Sequence, residues 1–254
     1  MRDVAEREGD GQSPRVALVT GAGGGLGGEC VRTLLAHGLH VFASDLTTDL
    51  LGGLDAGEAP GRLSLRALDV TDPAAVDALV ADVLAEGGRL DVLVNLAGVV
   101  RNQVLHKIAD TDFGLTISTH VLGTMHTMRA AAPAMRSARY GRIVNMSSIA
   151  VRGSIAGSAY GAAKGAIEGM TRAAAMELAP HGVTVNCVAP GVVDAGMFRT
   201  VPKDYQEQSV ARVPMRRPGT AREVADVVAF FSSPAAGYVT GQSLFVCGGL
   251  SLGF

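Results

Sequence analysis

The 254-residue chain has little of what marks several classes of protein. Its three cysteines, Cys30, Cys187 and Cys247, are too few and too far apart for a disulfide framework or a common metal-ligand spacing. Each lies in an apolar segment, where a small buried side chain is expected, and this usage favours a reducing compartment. The formal net charge of −2 offers no electrostatic basis for binding nucleic acid. We therefore expect no metal site and no nucleic-acid partner.

Long hydrophobic runs are absent as well. No segment reaches the roughly 18 uninterrupted apolar residues that a membrane-spanning helix requires. Residues 1–14, MRDVAEREGDGQSP, are polar and of mixed charge, without the apolar centre of a secretory signal. We expect a flexible N-terminal tail here, and a cytoplasmic protein that does not associate with membranes.

Short apolar runs alternate with helical patterns along the rest of the chain. The candidate strands are Arg15–Thr20, His40–Ser44, Leu63–Leu68, Leu90–Leu96, Arg142–Met146, Val183–Ala189 and Ser243–Cys247. The candidate helices are Leu26–His37, Pro73–Glu86, Thr111–Arg136, Ser158–Pro180 and Thr220–Ser232. Apolar strands separated by helices indicate a doubly wound parallel sheet covered on both faces. Because no linker or repeat divides residues 15–254, we predict one α/β domain with a seven-stranded, Rossmann-type sheet.

One segment of this domain, residues 194–213, breaks the alternation. It has weak periodicity and scattered apolar residues, Met197, Phe198 and Tyr205. A long irregular insertion in a compact α/β domain is often a lid over a ligand. We predict a substrate lid, with an ordinary surface connection as the alternative.

The first predicted strand runs directly into a glycine-rich loop, TGAGGGLG. Phosphate bound at a helix N-terminus needs unobstructed backbone N–H groups, and glycine allows the tight turn and close approach. Gly21, Gly25 and Gly27 follow a strand and open a helix, while Gly23, Gly25 and Gly28 fit the GxGxxG spacing. This context favours a dinucleotide-binding loop over a plain turn.

The next predicted strand ends at Asp45, about 20 residues beyond the glycines, where an acidic residue meets the adenosine ribose. A carboxylate there accepts hydrogen bonds from the ribose 2′-hydroxyl and repels a 2′-phosphate. The glycine loop contains no Arg or Lys, and Leu46 and Thr47 follow the aspartate. The sequence therefore predicts NAD as the cofactor rather than NADP, with a solvated turn aspartate as the alternative.

With these residues in place, the sequence from Arg15 to Gly249 resembles the classical short-chain dehydrogenases/reductases. The motifs that carry the resemblance are TGAGGGLG (Thr20–Gly27) for TGxxxGxG, LDV (Leu68–Val70) for the adenine-contacting pair, VNLAG (Val94–Gly98) for NNAG, YGAAK (Tyr160–Lys164) for YxxxK, APG (Ala189–Gly191), and TGQSLFVCGG (Thr240–Gly249) for TGxxxxVDGG. Leu96 replaces the second asparagine of NNAG, and Cys247 replaces the aspartate of the last motif.

The resemblance implies a set of residues that bind the cofactor. They are Gly21, Gly23, Gly24, Gly25, Leu26, Asp45, Leu46, Asp69, Val70, Asn95, Ala97, Gly98, Tyr160, Lys164, Pro190, Gly191 and Val193.

The catalytic pair is also reasonable on physical grounds. Tyr160 and Lys164 are four residues apart on a predicted helix, so both side chains emerge on one face. A free tyrosine has a pKa near 10, too high for efficient acid/base work at neutral pH, and an adjacent ammonium is expected to lower it. By resemblance, Tyr160 exchanges a proton with the substrate oxygen, Lys164 also holds the nicotinamide ribose, and a serine steadies the developing oxyanion.

Two serines compete for this last role. Counting back from the tyrosine by the family's usual spacing selects Ser147, whereas aligning the strand GRIVNMSS selects Ser148. Strands resist deletions and loops tolerate them. We therefore predict Ser148.

Two positions depart from the family pattern. His120 stands where the family usually has an asparagine that helps to hold a proton-relay water, and Ala195 stands where it has a threonine beside the nicotinamide. A histidine can donate, accept and titrate near neutral pH, so we predict a relay role, with a structural histidine as the alternative. A neighbouring lysine lowers a histidine's pKa, so we expect activity to fall below about pH 6 as the ring protonates.

These features predict an NAD-dependent oxidoreductase that interconverts a secondary alcohol and a ketone, with Tyr160 as the general acid/base. VVRNQVLHKI (Val99–Ile108) resembles the same region of 3-oxoacyl-thioester reductases, so a 3-hydroxyacyl or 3-oxoacyl thioester is one candidate substrate. A small alicyclic or terpenoid alcohol is the alternative. A catalytically poor NAD-binding sensor or scaffold is a third reading, disfavoured by the intact Ser–Tyr–Lys set.

The resemblance also implies assembly. The helices predicted at Thr111–Arg136 and Ser158–Pro180 carry small residues on more than one face. In relatives, the matching helices pack across a two-fold axis. We expect a homotetramer built as a dimer of dimers.

Overall fold

A parallel sheet of seven strands forms the centre of the computed structural model, which describes residues 14–252. The predicted N-terminal tail, residues 1–14, lies outside the described residues apart from Pro14. The strands are β1 Val16–Thr20, β2 His40–Asp45, β3 Arg62–Ala67, β4 Val92–Asn95, β5 Gly141–Met146, β6 Val183–Pro190 and β7 Ser243–Val246. Their order is β3-β2-β1-β4-β5-β6-β7, and every neighbouring pair is parallel. The predicted doubly wound fold is confirmed.

Helices cover both faces of this sheet. They are α1 Gly25–Ala36, α2 Pro73–Gly87, α3 Asp110–Ile117, α4 Gly123–Ala138, α5 Ser158–Leu178, α6 Lys203–Ala211 and α7 Ala221–Phe231. The apolar sides of α1 and α7 pack on one face, and those of α2, α4 and α5 pack on the other. The five inner strands are buried on both faces, which explains their nearly continuous apolar sequences.

Two predicted elements differ from the structure. The helix predicted at Thr111–Arg136 is divided into α3 and α4 by a π-helical turn, Ser118–Leu122. The supposedly irregular segment 194–213 contains a 3₁₀ turn, Gly196–Thr200, and the helix α6. No residue of α6 is fully buried, so it lacks the apolar stripe by which a helix is recognised in sequence.

The topology determines where a ligand site can lie. The strand order reverses between β1 and β4, and the loops after these two strands diverge at their carboxyl ends. Ligands of open α/β sheets bind in the crevice at such a reversal. None of the helices within residues 14–252 is both long enough and apolar enough to span a membrane.

Candidate active site

The glycine loop connects β1 to α1 at this crevice. Gly21 has a φ of +67°, and a Cβ added there would lie 2.6 Å from the backbone nitrogen of Ala97. A Cβ on Gly27 would overlap the Gly21 carbonyl oxygen. Within the described chain, α1 has no side-chain cap at Gly24 and no acidic residue in its first turn. Its N-terminal amides therefore remain available to an anion, and the helix dipole favours one.

Asp45 lies beside this loop, at the end of β2. Its Oδ2 accepts a hydrogen bond from the Gly23 nitrogen at 2.9 Å, and its Oδ1 accepts one from the Leu46 nitrogen at 2.9 Å. The side chain of Leu46 is exposed. The carboxylate thus lies next to the loop expected to hold the pyrophosphate, which is where the adjoining ribose would sit.

Asp69 and Val70 follow β3 on the same side. The Leu68 nitrogen donates to the Asp45 carbonyl at 2.7 Å, which ties the two loops together. Asp69 Oδ1 accepts from the nitrogen and the hydroxyl of Thr71, and Val70 is buried. These residues therefore lie next to Asp45 at the carboxyl end of the sheet.

Asn95, predicted to bind the cofactor, has its side chain held inside the core. Its side chain is buried, its amide nitrogen donates to Asn145 Oδ1 at 2.9 Å, and its amide oxygen accepts from the Thr127 hydroxyl at 2.7 Å. Both ends of the amide are therefore occupied within the core. Asn95 ties β4 to β5 and α4, and its side chain does not reach the cleft.

A cleft of about 480 Å³ opens next to the glycine loop. Twelve of the predicted residues line it: Gly21, Gly24, Gly25, Leu26, Gly98, His120, Ser148, Tyr160, Lys164, Pro190, Gly191 and Val193. The predicted residues outside its lining are Gly23, Asp45, Leu46, Asp69, Val70, Asn95 and Ala97. Of these, Gly23 belongs to the glycine loop, and Asp45, Leu46, Asp69 and Val70 follow β2 and β3 beside that loop.

The lining also contains residues outside the predicted catalytic and cofactor-binding sets. They are Gly27, Leu96, Val99, Val100, Arg101, Met146, Ser147, Ala195, Gly196 and Phe198. Gly27 belongs to the glycine loop, Ser147 is the alternative serine, and Ala195 stands at the family's threonine position. Most of the others are apolar, and nothing in their sequence pattern distinguishes a cleft wall from a core face. Gly196 lies close to the glycine loop, since a Cβ on Gly25 would be 2.9 Å from its nitrogen. The segment predicted as a lid therefore borders the cleft.

Tyr160 and Lys164 enter the cleft from the first turns of α5. Lys164 is buried, and its Nζ donates to the Met146 carbonyl oxygen at 2.8 Å. The same nitrogen lies 5.3 Å from the centroid of the Tyr160 ring. Burial lowers the pKa of Lys164 to about 8, because the charged form loses its hydration.

The pKa of Tyr160 differs from the expected direction. Burial raises the pKa of Tyr160 above its ordinary value, and a hydrogen bond with the Ser148 hydroxyl lowers it only in part. The expected lowering by Lys164 is wrong for this structure, because desolvation of the phenol dominates. At neutral pH the phenol is protonated, the state that a general acid requires.

The two candidate serines follow β5 and have different partners. Ser147 is buried, and its hydroxyl donates to Glu168 Oε1 at 2.8 Å. Ser148 is less buried, acts on Tyr160 closely enough to lower the pKa of the phenol in part, and accepts from the Ala150 nitrogen at 3.2 Å. The hydroxyl that meets the phenol is therefore that of Ser148.

His120 lies in the π-helical turn, with its ring packed against Gly98. A Cβ on Gly98 would overlap His120 Cε1, so only glycine fits there. His120 Nε2 lies 2.7 Å from the Val99 carbonyl oxygen and 3.1 Å from the Val99 nitrogen. One ring nitrogen cannot serve both, and the shorter contact assigns the proton to Nε2. Nδ1 is then a buried acceptor without a partner among the described residues.

The ring stays neutral. Burial, and after it the charge of Lys164, lowers the pKa of His120 to about 3. The expected fall in activity below about pH 6 from ring protonation is therefore wrong, because protonation requires a far lower pH. Across residues 14–252, no group of His, Cys, Asp or Glu side chains has the arrangement of a metal site.

Comparison with known proteins accords with this geometry. The profile of a family described as enoyl-(acyl carrier protein) reductase matches residues 21–251. The chain is 36% identical over 240 residues to subunit BbsD of (2S)-((R)-hydroxy(phenyl)methyl)succinyl-CoA dehydrogenase from Thauera aromatica, covering 94% of this chain and 97% of that protein. It is 36% identical over 244 residues to 3-oxoacyl-(acyl carrier protein) reductase FabG of Salmonella typhimurium, with 93% and 97% covered.

The fold has solved counterparts as well. The crystal structure of levodione reductase matches with a TM-score of 0.89 at 28% identity, covering 94% of this chain and 98% of that chain. Two relatives above 30% identity and a family match over most of the chain agree with the Ser–Tyr–Lys cleft at the edge of a doubly wound sheet. The chain belongs to the classical short-chain dehydrogenases/reductases.

Proposed function

We propose that the protein is an NAD-dependent oxidoreductase that interconverts a secondary alcohol and a ketone. The observation that carries the proposal is the placement of Ser148 and Tyr160 beside a buried lysine, in a cleft bordered by the glycine loop. Two hydroxyls placed in this way can both contact one substrate oxygen. A bound nicotinamide would supply the hydride acceptor or donor.

The residues present fit a dinucleotide. The uncapped N-terminus of α1, with glycines that leave its amides open, would hold the pyrophosphate. Asp45 would accept from the ribose hydroxyls, and its charge disfavours a 2′-phosphate, so NAD is preferred. Lys164 has a single hydrogen bond within the described chain, although an ammonium has three donors. Its remaining N–H groups would hold the nicotinamide ribose.

Each residue of the cleft then has a role. Tyr160 gives its proton to the substrate oxygen during reduction and takes it back during oxidation. Ser148 donates to the same oxygen and stabilises the charge that develops there. His120, with its bare Nδ1 near the charge of Lys164, would hold a water through which Tyr160 is reprotonated.

The preferred substrate is a 3-hydroxyacyl or 3-oxoacyl thioester. The cleft walls are mainly apolar. The lining has two charged side chains, Lys164 and Arg101, because His120 is neutral. This arrangement suits an acyl chain that carries an anionic group further along. The names of two relatives, a succinyl-CoA dehydrogenase subunit and a 3-oxoacyl-(acyl carrier protein) reductase, point the same way. A small alicyclic or terpenoid alcohol is the second candidate, favoured by the likeness to levodione reductase.

A substrate panel tests the proposal. Purified protein is assayed at 340 nm with NAD or NADP and with a 3-hydroxyacyl thioester, an alicyclic alcohol or a terpenoid alcohol. An enoyl thioester serves as the comparison substrate. We expect turnover of a secondary alcohol with NAD, at a kcat/KM above that with NADP. Tight NADH binding without turnover of any alcohol would favour the sensor or scaffold.

We further propose a homotetramer. The outer surface of α5 is flat, because a Cβ on Gly165 or Gly169 would meet nothing within 4 Å. Met176, further along the same helix, is 81% exposed. A flat face with an exposed apolar side chain suits close packing of a second copy. Analytical ultracentrifugation is expected to give four times the monomer mass.

A further inference from the structure

Successive turns of α5 contact three consecutive residues at the end of β5. Each contact joins one residue of the strand end to one turn of the helix: Met146 with Lys164, Ser147 with Glu168, and Ser148 with Tyr160. The helix residues are spaced by four, so they share one face. The middle contact, between Ser147 and Glu168, involves neither the proton donor nor the serine that faces the substrate oxygen.

This middle contact is short and buried. Ser147 is 1% exposed, its hydroxyl donates to Glu168 Oε1 at 2.8 Å, and its nitrogen donates to the Val188 carbonyl at 2.7 Å. The Glu168 side chain is 15% exposed, with Arg172 at 3.9 Å as its ion-pair partner. A hydroxyl that donates to a carboxylate makes a stronger bond than one between neutral groups.

We propose that Glu168 is a positioning residue for the catalytic serine: by holding the Ser147 hydroxyl, it orients the next residue, Ser148, toward Tyr160. Ser148 is extended, with φ of −165° and ψ of 156°. Neighbouring side chains on an extended segment point in opposite directions. Fixing one hydroxyl away from the phenol therefore fixes the other toward it. This inference rests on the proposed role of Ser148.

The two serines lie between the end of a strand and the start of a turn, so side-chain contacts are needed to fix their orientation. β5 ends at Met146, and the chain enters a 3₁₀ turn at Ile149. Both serines line the cleft, and without Glu168 the buried Ser147 hydroxyl would lack its acceptor. If the strand end rotated so that the Ser147 hydroxyl could donate to another acceptor, Ser148 would move away from Tyr160. Small displacements of a catalytic group have large kinetic costs.

The test is a double-mutant cycle between Glu168→Ala and Ser148→Ala, read in kcat. In the wild-type background, Glu168→Ala is expected to lower kcat roughly tenfold, with little change in NADH affinity. In the Ser148→Ala background, Glu168→Ala should lower kcat less than twofold, because the hydroxyl that it orients is already gone. Glu168→Gln keeps an acceptor and should restore most of the activity.

Arg172→Ala is the matched control, since it removes the ion pair of Glu168 and leaves the bond to Ser147. It should retain wild-type kcat. NADH binding, followed by nucleotide fluorescence, and the melting temperature show that each variant is folded. A kcat of Glu168→Ala within twofold of wild type would overturn the proposal, and so would an equal loss in both Ser148 backgrounds.

This result is separable from the proposed function. If the wild-type protein turns over no alcohol, or if Tyr160→Phe is fully active, the proposed function fails. If the wild-type protein is active, Tyr160→Phe and Ser148→Ala are impaired, and Glu168→Ala is not, only the positioning role fails.

Discussion

Strand β5 has a buried cation near each end, and the two are held differently. Arg142, at the start of the strand, is 2% exposed; its guanidinium donates to the carbonyls of Gly141, Gly182 and Ser233 and lies 4.4 Å from the Tyr140 ring. Lys164, packed on the end of the strand, is 3% exposed and donates to Met146 alone among the described residues.

The difference separates a structural cation from a catalytic one. Arg142 directs three of its five N–H donors at protein carbonyls, and a guanidinium does not lose its proton in proteins. Lys164 keeps unused donors beside the cleft, and its pKa of about 8 allows it to exchange a proton near neutral pH. A buried cation with most of its donors left over beside a cleft thus indicates a ligand, whereas one that directs most of its donors at protein carbonyls indicates support.

The tyrosines beside the two cations give the largest expected contrast. Tyr160→Phe removes the proton donor and should lower kcat at least 10²-fold, the usual contribution of acid/base catalysis, with NADH binding kept. Tyr140→Phe is the control: the Tyr140 hydroxyl is buried without a partner in the described structure, so its loss should leave kcat unchanged and the melting temperature equal or higher. Steady-state kinetics that show more than a tenth of wild-type kcat in Tyr160→Phe would contradict the assignment.

Replacing the cations themselves should separate activity from stability. Lys164→Met is expected to lower kcat roughly 10²-fold and to keep or raise the melting temperature, since a desolvated charge is removed. Arg142→Met should keep kcat in the folded protein but lower the free energy of unfolding by about 2 kcal/mol or more, because buried carbonyls lose their donors.

A pH series checks the first of these variants. The pKa of Lys164 is about 8 in the folded protein against 10.5 ordinarily, so the unfolded chain binds more protons between these values. Wild-type stability should therefore rise relative to Lys164→Met as pH increases from about 8 to 10.5. If the difference in unfolding free energy between the two proteins, measured by denaturant titration, does not change with pH, a buried, charged lysine is contradicted.

His120 offers the same test at acid pH. Its pKa is about 3 in the folded protein against 6.5 ordinarily, so the unfolded chain binds more protons in between and stability falls as pH is lowered. Relative to His120→Asn, the wild type should lose about 1.4 kcal/mol of unfolding free energy per pH unit below about 6.

The relay role of His120 has its own test. His120→Leu cannot hold a water and should lose activity about tenfold, and this loss should be seen at every pH at which the variant is folded. Full activity in a folded His120→Leu variant would end the relay role.

Of the variants at predicted site residues, Asp45→Ala should change kcat the least. Removing the carboxylate ends the repulsion of a 2′-phosphate and narrows the preference for NAD over NADP, with kcat for NAD largely kept. The ratio of kcat/KM values for the two cofactors measures this. A wild-type protein that already prefers NADP would show that Asp45 does not select the cofactor.

Local patterns predicted the fold and the outline of the cleft. The apolar strands, the glycine loop before α1 and the Tyr160–Lys164 spacing depend on short stretches of chain, which sequence displays directly. Strand alignment indicated Ser148, the serine whose hydroxyl meets Tyr160 in the structure. The side-chain contacts of Asn95 were not predicted, because its partners, Asn145 and Thr127, are brought to it only by sheet and helix packing.

Properties that depend on burial were beyond the sequence. The raised pKa of Tyr160 and the unpartnered Nδ1 of His120 arise from desolvation and from contacts across the cleft. The Ser147–Glu168 bond joins residues 21 positions apart, and neither has a pattern that marks it.

Isotope transfer tests the central claim most directly. The protein is incubated with NAD and a secondary alcohol, taken from the active members of the panel, that carries deuterium on its carbinol carbon. Mass spectrometry and NMR of the reduced cofactor are expected to show deuterium at the nicotinamide C4, with little reduced cofactor formed by Tyr160→Phe. Reduced cofactor without the label, or bound cofactor that no secondary alcohol reduces, would contradict the account.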